Sequence, residues 1–171
     1  MEVLIVVDMQ NDFITGSLRN KEAIKIVPNV INKIKSFNGE IFFTKDTHSK
    51  NYLKTKEGIN LPVKHCIKNT VGWEIDKDIA AYIKNSPIEK NTFGSKKLIA
   101  ILKKLNKKQK IESITLIGVC TDICVISNAL LLKAYFPEID IKVDSSCCAG
   151  VTVESHNNAL NAMKMCQIEV Y

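Results

Sequence analysis

The chain has 171 residues, of which 46% are hydrophobic and 25% are charged, a composition typical of a globular protein. This length predicts one domain over residues 1–171. The formal net charge of +6 comes almost entirely from lysines on several predicted helix faces. A nucleic-acid footprint needs its cations gathered on one face, so we expect no nucleic-acid partner.

The N-terminus and the cysteines indicate where the protein works. Met1 leads directly into an apolar strand without a basic segment or a cleavage site, and no apolar run approaches the ~20 residues of a membrane helix. We therefore expect a cytoplasmic protein with no membrane partner. The cysteines lack disulfide-framework and C-x-x-C spacing, which predicts reduced thiols. They are Cys66, Cys120, Cys124, Cys147, Cys148 and Cys166.

Predicted strands alternate with predicted helices along the chain. Short apolar runs predict strands at 3–7, 41–44, 88–89, 114–118, 139–144 and 168–171. Helical spacing predicts helices at 21–37, 74–85, 95–105, 122–136 and 153–165. Pro28 lies inside the first helix, so its regular part is expected to begin near that residue. The alternation predicts a Rossmann-like three-layer α/β sandwich, with a mainly parallel sheet of about six strands and helices on both faces.

Reactive groups follow three of the predicted strands: Asp8, Lys90 and Cys124. The carboxyl ends of parallel strands share one edge of a sheet, so these groups can converge there. Cys124 falls in the first turn of a helix that Asp122 can cap, a position that lowers a thiol pKa and offers N–H groups to an anion. Singly, an aspartate is often a loop cap and a lysine is usually solvated. Together they supply the base and cation that a nucleophilic cysteine requires.

Three segments carry a resemblance to a known family: DMQNDF at 8–13, IEKNTFGS at 88–95 and GVCTDICV at 118–125. They resemble the isochorismatase-like cysteine hydrolase superfamily, and similarity extends to residues 147–149. The resemblance implies that Asp8, Lys90 and Cys124 are catalytic. It also implies a cis peptide before Cys120 that aims the N–H groups of Cys120 and Cys124 at an oxyanion. Most members have alanine at Cys120, so oxidative pairing of this second thiol with Cys124 is possible here.

The long polar stretch 45–72 is expected to be a functional loop. Asp46, His48 and His65 form a ligand set suited to zinc, manganese or iron, although polar loop residues without an ion would have the same spacing. KDTH and LPVKHC resemble the nicotinamidase branch, which implies a divalent metal, first of all zinc, on these three residues. Some members have a histidine ligand near Lys54, and Glu57 is expected to replace it.

The resemblance also assigns a substrate pocket to Phe13, Leu61 and Val119. Phe13 matches a phenylalanine that stacks on the substrate ring, whereas Leu61 stands where nicotinamidases commonly have tryptophan. Trp73 suits core and pocket equally. His156 is expected to be a surface or packing residue.

The expected function is that of a metal-containing cysteine amidase converting nicotinamide to nicotinate and ammonia through a thioester. Leu61 keeps open a related hydrolase acting on another small amide, ureido or N-carbamoyl substrate. A non-catalytic binding domain is the other alternative, and it has no need of Asp8, Lys90 and Cys124. Nucleotide binding is disfavoured because no glycine-rich phosphate motif follows a strand. Family members are often oligomers, so a homo-oligomer is expected by analogy.

Overall fold

Six parallel strands form one sheet in the order β3-β2-β1-β4-β5-β6, in a computed structural model that describes all 171 residues. The strands are β1 (Glu2–Val7), β2 (Glu40–Asp46), β3 (Ile88–Lys90), β4 (Ser113–Val119), β5 (Asp140–Ala149) and β6 (Glu169–Val170). β1 and β4 are central and almost completely buried, as their uninterrupted apolar runs predict. The predicted parallel sheet is confirmed.

Seven α-helices connect these strands and cover the sheet on both faces. They are α1 (Asn11–Ile14), α2 (Lys21–Ser36), α3 (Lys56–Asn60), α4 (Lys77–Ala80), α5 (Lys96–Lys108), α6 (Ile126–Tyr135) and α7 (Val153–Met165). Alternate residues of β1 enter two separate cores, Val3 and Ile5 on one face and Leu4 and Val6 on the other. Helices α5, α6 and α7 pack on the first core, and α1, α2 and α4 on the second. The predicted three-layer sandwich is confirmed. None of the helices combines the length and the apolar character needed to cross a membrane.

Helix α2 runs through Pro28, so the expectation that it begins near this proline is wrong. The Asn20 side chain caps the helix by accepting a hydrogen bond of 2.9 Å from the N–H of Glu22. Four buried side chains on one face then anchor the whole helix to the sheet: Ala23, Ile26, Val30 and Ile34. This packing outweighs the loss of one backbone hydrogen bond at the proline.

The predicted helix at 74–85 is mostly wrong, because only α4 is α-helical there. The residues before α4 bond instead to the residues that follow β1. The N–H of Asn11 donates to Glu74 O, and the N–H of Asp76 donates to Met9 O. Asp76 then caps α4 by accepting from the N–H of Asp78. Tertiary pairing therefore overrides helical spacing in this segment.

Strand β5 extends five residues beyond its predicted end, to Ala149. Its pairing with β4 shifts between Leu116 and Gly118, so that Gly118 lies opposite Cys148. Gly118 has φ of 115°, and a Cβ there would overlap the carbonyl oxygen of Val7. Only glycine allows β1 and β4 to approach so closely at this end of the sheet.

The stretch 45–72 has more structure than an extended loop. It contains a 3₁₀ turn at Tyr52–Lys54 and helix α3, which Thr55 caps by accepting from the N–H of Gly58. The ring of Tyr52 is fully buried, and its hydroxyl donates to Leu61 O at 3.0 Å. The turn and α3 therefore hold Glu57 and Leu61 over the edge of the sheet.

Candidate active site

The three strand-end groups predicted from the sequence meet around one ammonium. Lys90 Nζ lies 2.7 Å from Asp8 Oδ2 and 3.3 Å from Cys124 Sγ. It also lies 3.3 Å from Oδ1 of Asp46, the last residue of β2. All four residues are buried. One buried cation therefore contacts two carboxylates and a thiol.

Asp8 has one hydrogen-bonded carboxylate oxygen and one without such a bond. Oδ1 accepts from the Thr44 hydroxyl at 2.7 Å, whereas Oδ2 has no aligned hydrogen-bond donor despite its short ionic contact with Lys90. Burial raises the pKa of Asp8 above its usual value, against the opposing effect of Lys90. A buried carboxylate with an available oxygen and a raised pKa is suited to accept a thiol proton. Thr44 has no motif around it, and the sequence interpretation missed it.

The Cys124 thiol has a pKa well above its usual value, mainly because it is buried and because Asp8 adds negative charge. Lys90 acts in the opposite direction but does not prevail. The expectation of a lowered thiol pKa at a helix N-terminus is therefore wrong for the free protein. Burial also disfavours the charged form of Lys90, but Asp8, Cys124 and Asp46 together hold the pKa of Lys90 well above its usual value. The resting cluster thus needs a base to generate the thiolate.

Cys124 lies in a π-helical turn, Thr121–Val125, that precedes α6. The peptide bond between Val119 and Cys120 is cis, as the family resemblance implies. The N–H groups of Ile123 and Val125 both donate to Cys120 O, at 3.1 and 3.0 Å. The turn therefore wraps around the Cys120 carbonyl, immediately after β4.

Hydrogen bonds to three other parts of the chain hold this turn. Asn128 is buried, and its Nδ2 donates to Cys124 O at 2.8 Å while its Oδ1 accepts from the N–H of Ser95. Asp122 does not cap the helix as predicted but accepts from the N–H of Val151. His156 Nδ1 lies 2.8 Å from the Thr121 hydroxyl, which gives this histidine the predicted packing role.

Four side chains form a cluster of metal-ligating type that shares Asp46 with the Lys90 cluster. Donor atoms of Asp46, His48, Glu57 and His65 all lie within 4.8 Å of one another. His48 Nε2 is 3.0 Å from Asp46 Oδ2 and 3.5 Å from Glu57 Oε1. His65 Nε2 is 3.8 Å from each of the same two oxygens. The structure therefore brings together the three predicted ligands and Glu57.

The chemistry of this donor set fits a divalent metal ion. His65 Nδ1 lies 2.8 Å from Val63 O, an arrangement that makes Nδ1 the donor and leaves the Nε2 lone pair facing the cluster. Two imidazoles and two carboxylates are ordinary zinc ligands, and iron and manganese accept the same groups. Burial lowers the pKa of His48, but the adjoining Asp46 carboxylate reverses this and holds the pKa above its usual value. The Asp46 carboxylate therefore favours a positive charge in this cluster, and it also contacts the positively charged Lys90.

One cavity of about 780 Å³ connects the two groups of residues. Its lining includes Cys120 and Cys124 as well as Glu57 and His65. The Phe13 ring forms part of its wall, 5.8 Å from the imidazole of His65 between ring centroids.

Two of the three predicted pocket residues line this cavity, and the third does not. Phe13 and Leu61 line it, and Leu61 is 39% exposed at the rim. The side chain of Val119 is fully buried in the core and is absent from the lining. Trp73 belongs to the core, where its Nε1 donates to the Thr47 hydroxyl and Lys45 Nζ lies 3.1 Å from its ring centroid. Arg19 and Lys21 line the outer part of the cavity, and the sequence interpretation missed both.

Comparison with known proteins identifies relatives over the whole chain. A nicotinamidase from Schizosaccharomyces pombe is 28% identical, with 98% of this chain and 91% of the relative covered. A nicotinamidase/pyrazinamidase structure from Bacillus subtilis superposes with a TM-score of 0.85 at 26% identity, covering 99% of this chain and 98% of the other. A pyrazinamidase from Pyrococcus horikoshii in complex with zinc superposes with a TM-score of 0.80 at 28% identity, with 99% and 98% coverage.

The family comparison agrees with these similarities and with the geometry of the site. The Isochorismatase domain matches residues 2–171, from the start of β1 to the last residue. The match thus includes the segments that carry Asp8, Lys90 and Cys124. The chain belongs to the isochorismatase domain family.

Proposed function

We propose that the protein is a metal-dependent cysteine amidase that hydrolyses nicotinamide to nicotinate and ammonia. The observation that carries this proposal is the cavity lined both by Cys124, with its buried Asp8 and Lys90 neighbours, and by Glu57 and His65 of the donor set that also contains Asp46 and His48. The similarity to nicotinamidases and to a zinc-bound pyrazinamidase supports both the substrate and the metal.

Acylation begins with transfer of the Cys124 thiol proton to Oδ2 of Asp8, the carboxylate oxygen that contacts Lys90. Lys90 contacts both groups and stabilises the thiolate as it forms. The thiolate attacks the carboxamide carbon, and the oxyanion accepts hydrogen bonds from the N–H groups of Cys120 and Cys124. Asp8 then returns its proton to the departing nitrogen, which leaves as ammonia, and a nicotinoyl thioester remains on Cys124.

Deacylation reuses the same carboxylate. Asp8 takes a proton from a water molecule that attacks the thioester carbon. The tetrahedral intermediate collapses to nicotinic acid, which releases its proton to solvent as nicotinate, and the Cys124 sulfur leaves and recovers a proton from Asp8. The cluster returns to its starting protonation state, with Lys90 charged throughout because of the carboxylates around it.

A divalent ion held by Asp46, His48, Glu57 and His65 would supply a fixed positive charge that orients the pyridine nitrogen of the substrate, directly or through water. Zinc is the first candidate, with manganese and iron as alternatives. Phe13 and the rim residue Leu61 would enclose the ring between this cluster and Cys124. Cytoplasmic location and homo-oligomer formation stay predictions from the sequence and the family resemblance.

Ammonia release from nicotinamide by the purified protein tests the substrate. We expect turnover of nicotinamide with a kcat/KM of at least about 10⁴ M⁻¹ s⁻¹, the lower end of typical enzymes. The exposed Leu61 at the rim favours one alternative, a hydrolase of another small amide, ureido or N-carbamoyl compound. Ammonia release from members of that panel without any from nicotinamide would contradict the proposal in favour of this alternative.

Metal removal is expected to lower nicotinamide hydrolysis without unfolding the protein. Dialysis against a strong chelator should reduce kcat/KM by about tenfold or more, because the pyridine ring loses its orienting charge. Stoichiometric zinc, manganese or iron should restore the rate, and the restoring ion identifies the natural cofactor. Far-UV circular dichroism of the stripped protein serves as the control for folding. Full activity in a protein free of metal by mass spectrometry would rule out a functional ion.

A further inference from the structure

Two buried polar side chains at the start of α1, Gln10 and Asp12, do not line the substrate cavity. We propose that they are positioning residues for the metal ligands, Gln10 for Asp46 and Asp12 for His65 and His48. This inference rests on the metal centre of the proposed function. It assigns a function to the two buried polar side chains of DMQNDF that neither line the cavity nor join the Lys90 cluster.

Gln10 holds both backbone polar groups of Asp46 with one side-chain amide. Its Nε2 donates to Asp46 O at 2.9 Å, and its Oε1 accepts from the N–H of Asp46 at 2.7 Å. The second Nε2 hydrogen is used by Trp73 O, also at 2.9 Å. Gln10 is fully buried, so no water can replace these bonds.

The sheet explains why Asp46 needs such a partner. β1 pairs with β2 only as far as Val6 and Phe43, while Asp46 still pairs with Lys90 on β3. Beyond Phe43 the β1 side of β2 therefore lacks a neighbouring strand. The Gln10 amide takes the place of a strand residue there and keeps the Asp46 backbone in line with the sheet. The Asp46 carboxylate is thereby fixed between Lys90 and the two histidines.

Asp12 acts in the same way at the other side of the donor set. Its Oδ2 accepts from the N–H of Cys66 at 2.7 Å, immediately after His65, and its Oδ1 accepts from the N–H of Ser17. Cys66 O in turn accepts from the N–H of His48 at 2.9 Å. One carboxylate thus holds the backbone of Cys66, which follows His65 in the chain and accepts the hydrogen bond from the N–H of His48.

The space around Asp12 restricts its carboxylate to this orientation. A Cβ at Gly72 would overlap the Asp12 carboxylate, so the side chain is enclosed by backbone. The intervening Asn11 differs: its Nδ2 donates to Val71 O, and it bonds to no residue of the donor set. Asn11 is therefore a matched control: its polar side chain lies between Gln10 and Asp12 in the chain but binds Val71 rather than a residue next to the donor set.

Zinc affinity tests the inference independently of amide hydrolysis. Zinc is withdrawn from the loaded protein by a chromophoric chelator, and the Kd is compared for wild type, Gln10→Met, Asp12→Asn and Asn11→Ala. We expect the Kd of the Gln10 and Asp12 variants to rise by about 10- to 100-fold, the usual effect of losing groups that orient metal ligands. Asn11→Ala should leave the zinc Kd within about threefold of the wild-type value, because the Asn11 side chain bonds to no residue of the donor set. If Gln10→Met does not fold, Gln10→Glu retains the acceptor for the Asp46 N–H but loses the donors.

Cobalt substitution separates ligand positioning from general destabilisation. The visible bands of bound Co²⁺ depend on ligand geometry, so they should shift in the Gln10 and Asp12 variants and remain unchanged in Asn11→Ala. Wild-type zinc Kd and wild-type cobalt bands in both Gln10→Met and Asp12→Asn would overturn the inference, as would wild-type protein that does not bind zinc saturably. Absence of nicotinamide turnover, with the expected differences in Kd still present, would instead overturn the proposed substrate alone.

Discussion

Replacing Cys124 by alanine is expected to lower kcat for amide hydrolysis by about 10⁴-fold or more, the scale of losing the nucleophile in a hydrolytic triad. Among the cavity-lining residues, only Cys124 combines a nucleophilic atom with contact to Lys90. Without the sulfur no thioester forms, so Asp8 has no acyl-enzyme on which to activate water. Steady-state ammonia release measures the loss.

The matched control is Cys166→Ala, which removes an exposed thiol far from the Lys90 cluster in sequence and is expected to keep the wild-type rate. Rapid acid quenching of the wild type, followed by peptide mass spectrometry, should find the nicotinoyl group on the peptide containing Cys124. Retained hydrolysis by Cys124→Ala, or an acyl group on another residue, would refute the thioester mechanism.

Replacing Lys90 by methionine is expected to destabilise the protein by about 3–5 kcal/mol, as well as to abolish activity. The Asp8 carboxylate is fully buried and that of Asp46 nearly so, and each contacts the Lys90 ammonium. The variant leaves two buried negative charges without their cation. Because the pKa of Lys90 is raised in the folded protein, its stabilising contribution is fully present at neutral pH and is lost only as the pH rises through that raised pKa. Urea denaturation at pH 7 measures the difference.

A double variant separates the charge effect from simple loss of packing. Asp8→Asn in the Lys90→Met background removes one of the uncompensated carboxylates and should restore part of the lost stability, but not hydrolysis. Lys104→Met is the control: Lys104 is exposed, and its replacement should change stability by less than about 0.5 kcal/mol. Equal stability of Lys90→Met and Lys104→Met would contradict the electrostatic role of Lys90.

The architecture was predictable because it depends on local patterns. Uninterrupted apolar runs in β1 and β4 require burial on both faces, which in turn requires a parallel sheet covered by helices. The carboxyl ends of such strands share one edge, so Asp8, Lys90 and Cys124 were expected to meet there. Local patterns predicted the wrong structure for segment 74–85, because its backbone bonds to Met9 and Asn11, more than sixty residues earlier in the chain.

The supporting residues of the site were not predictable in this way. Gln10 and Asp12 hydrogen-bond to residues 36 and 54 positions away along the chain. Asn128 bonds both to Cys124 and to Ser95, and Ser95 lies 33 residues before Asn128. Glutamine, aspartate and asparagine are also common polar residues of loops and helices, so the residue type does not indicate which distant backbone groups the side chain will bind. Their function depends on which backbone groups lack a partner once the sheet has formed.

The order of residues was enough to predict which chemical groups the site contains and at which edge of the sheet they lie: a thiol, a lysine, carboxylates and imidazoles at strand ends and in one loop. The protonation behaviour of these groups depends on the folded structure. Burial raises the pKa of Cys124 and of Asp8. The fold also places the Lys90 ammonium in contact with both Asp8 and Asp46. Desolvation and Coulomb interaction depend on distances in three dimensions, which neither spacing nor composition records.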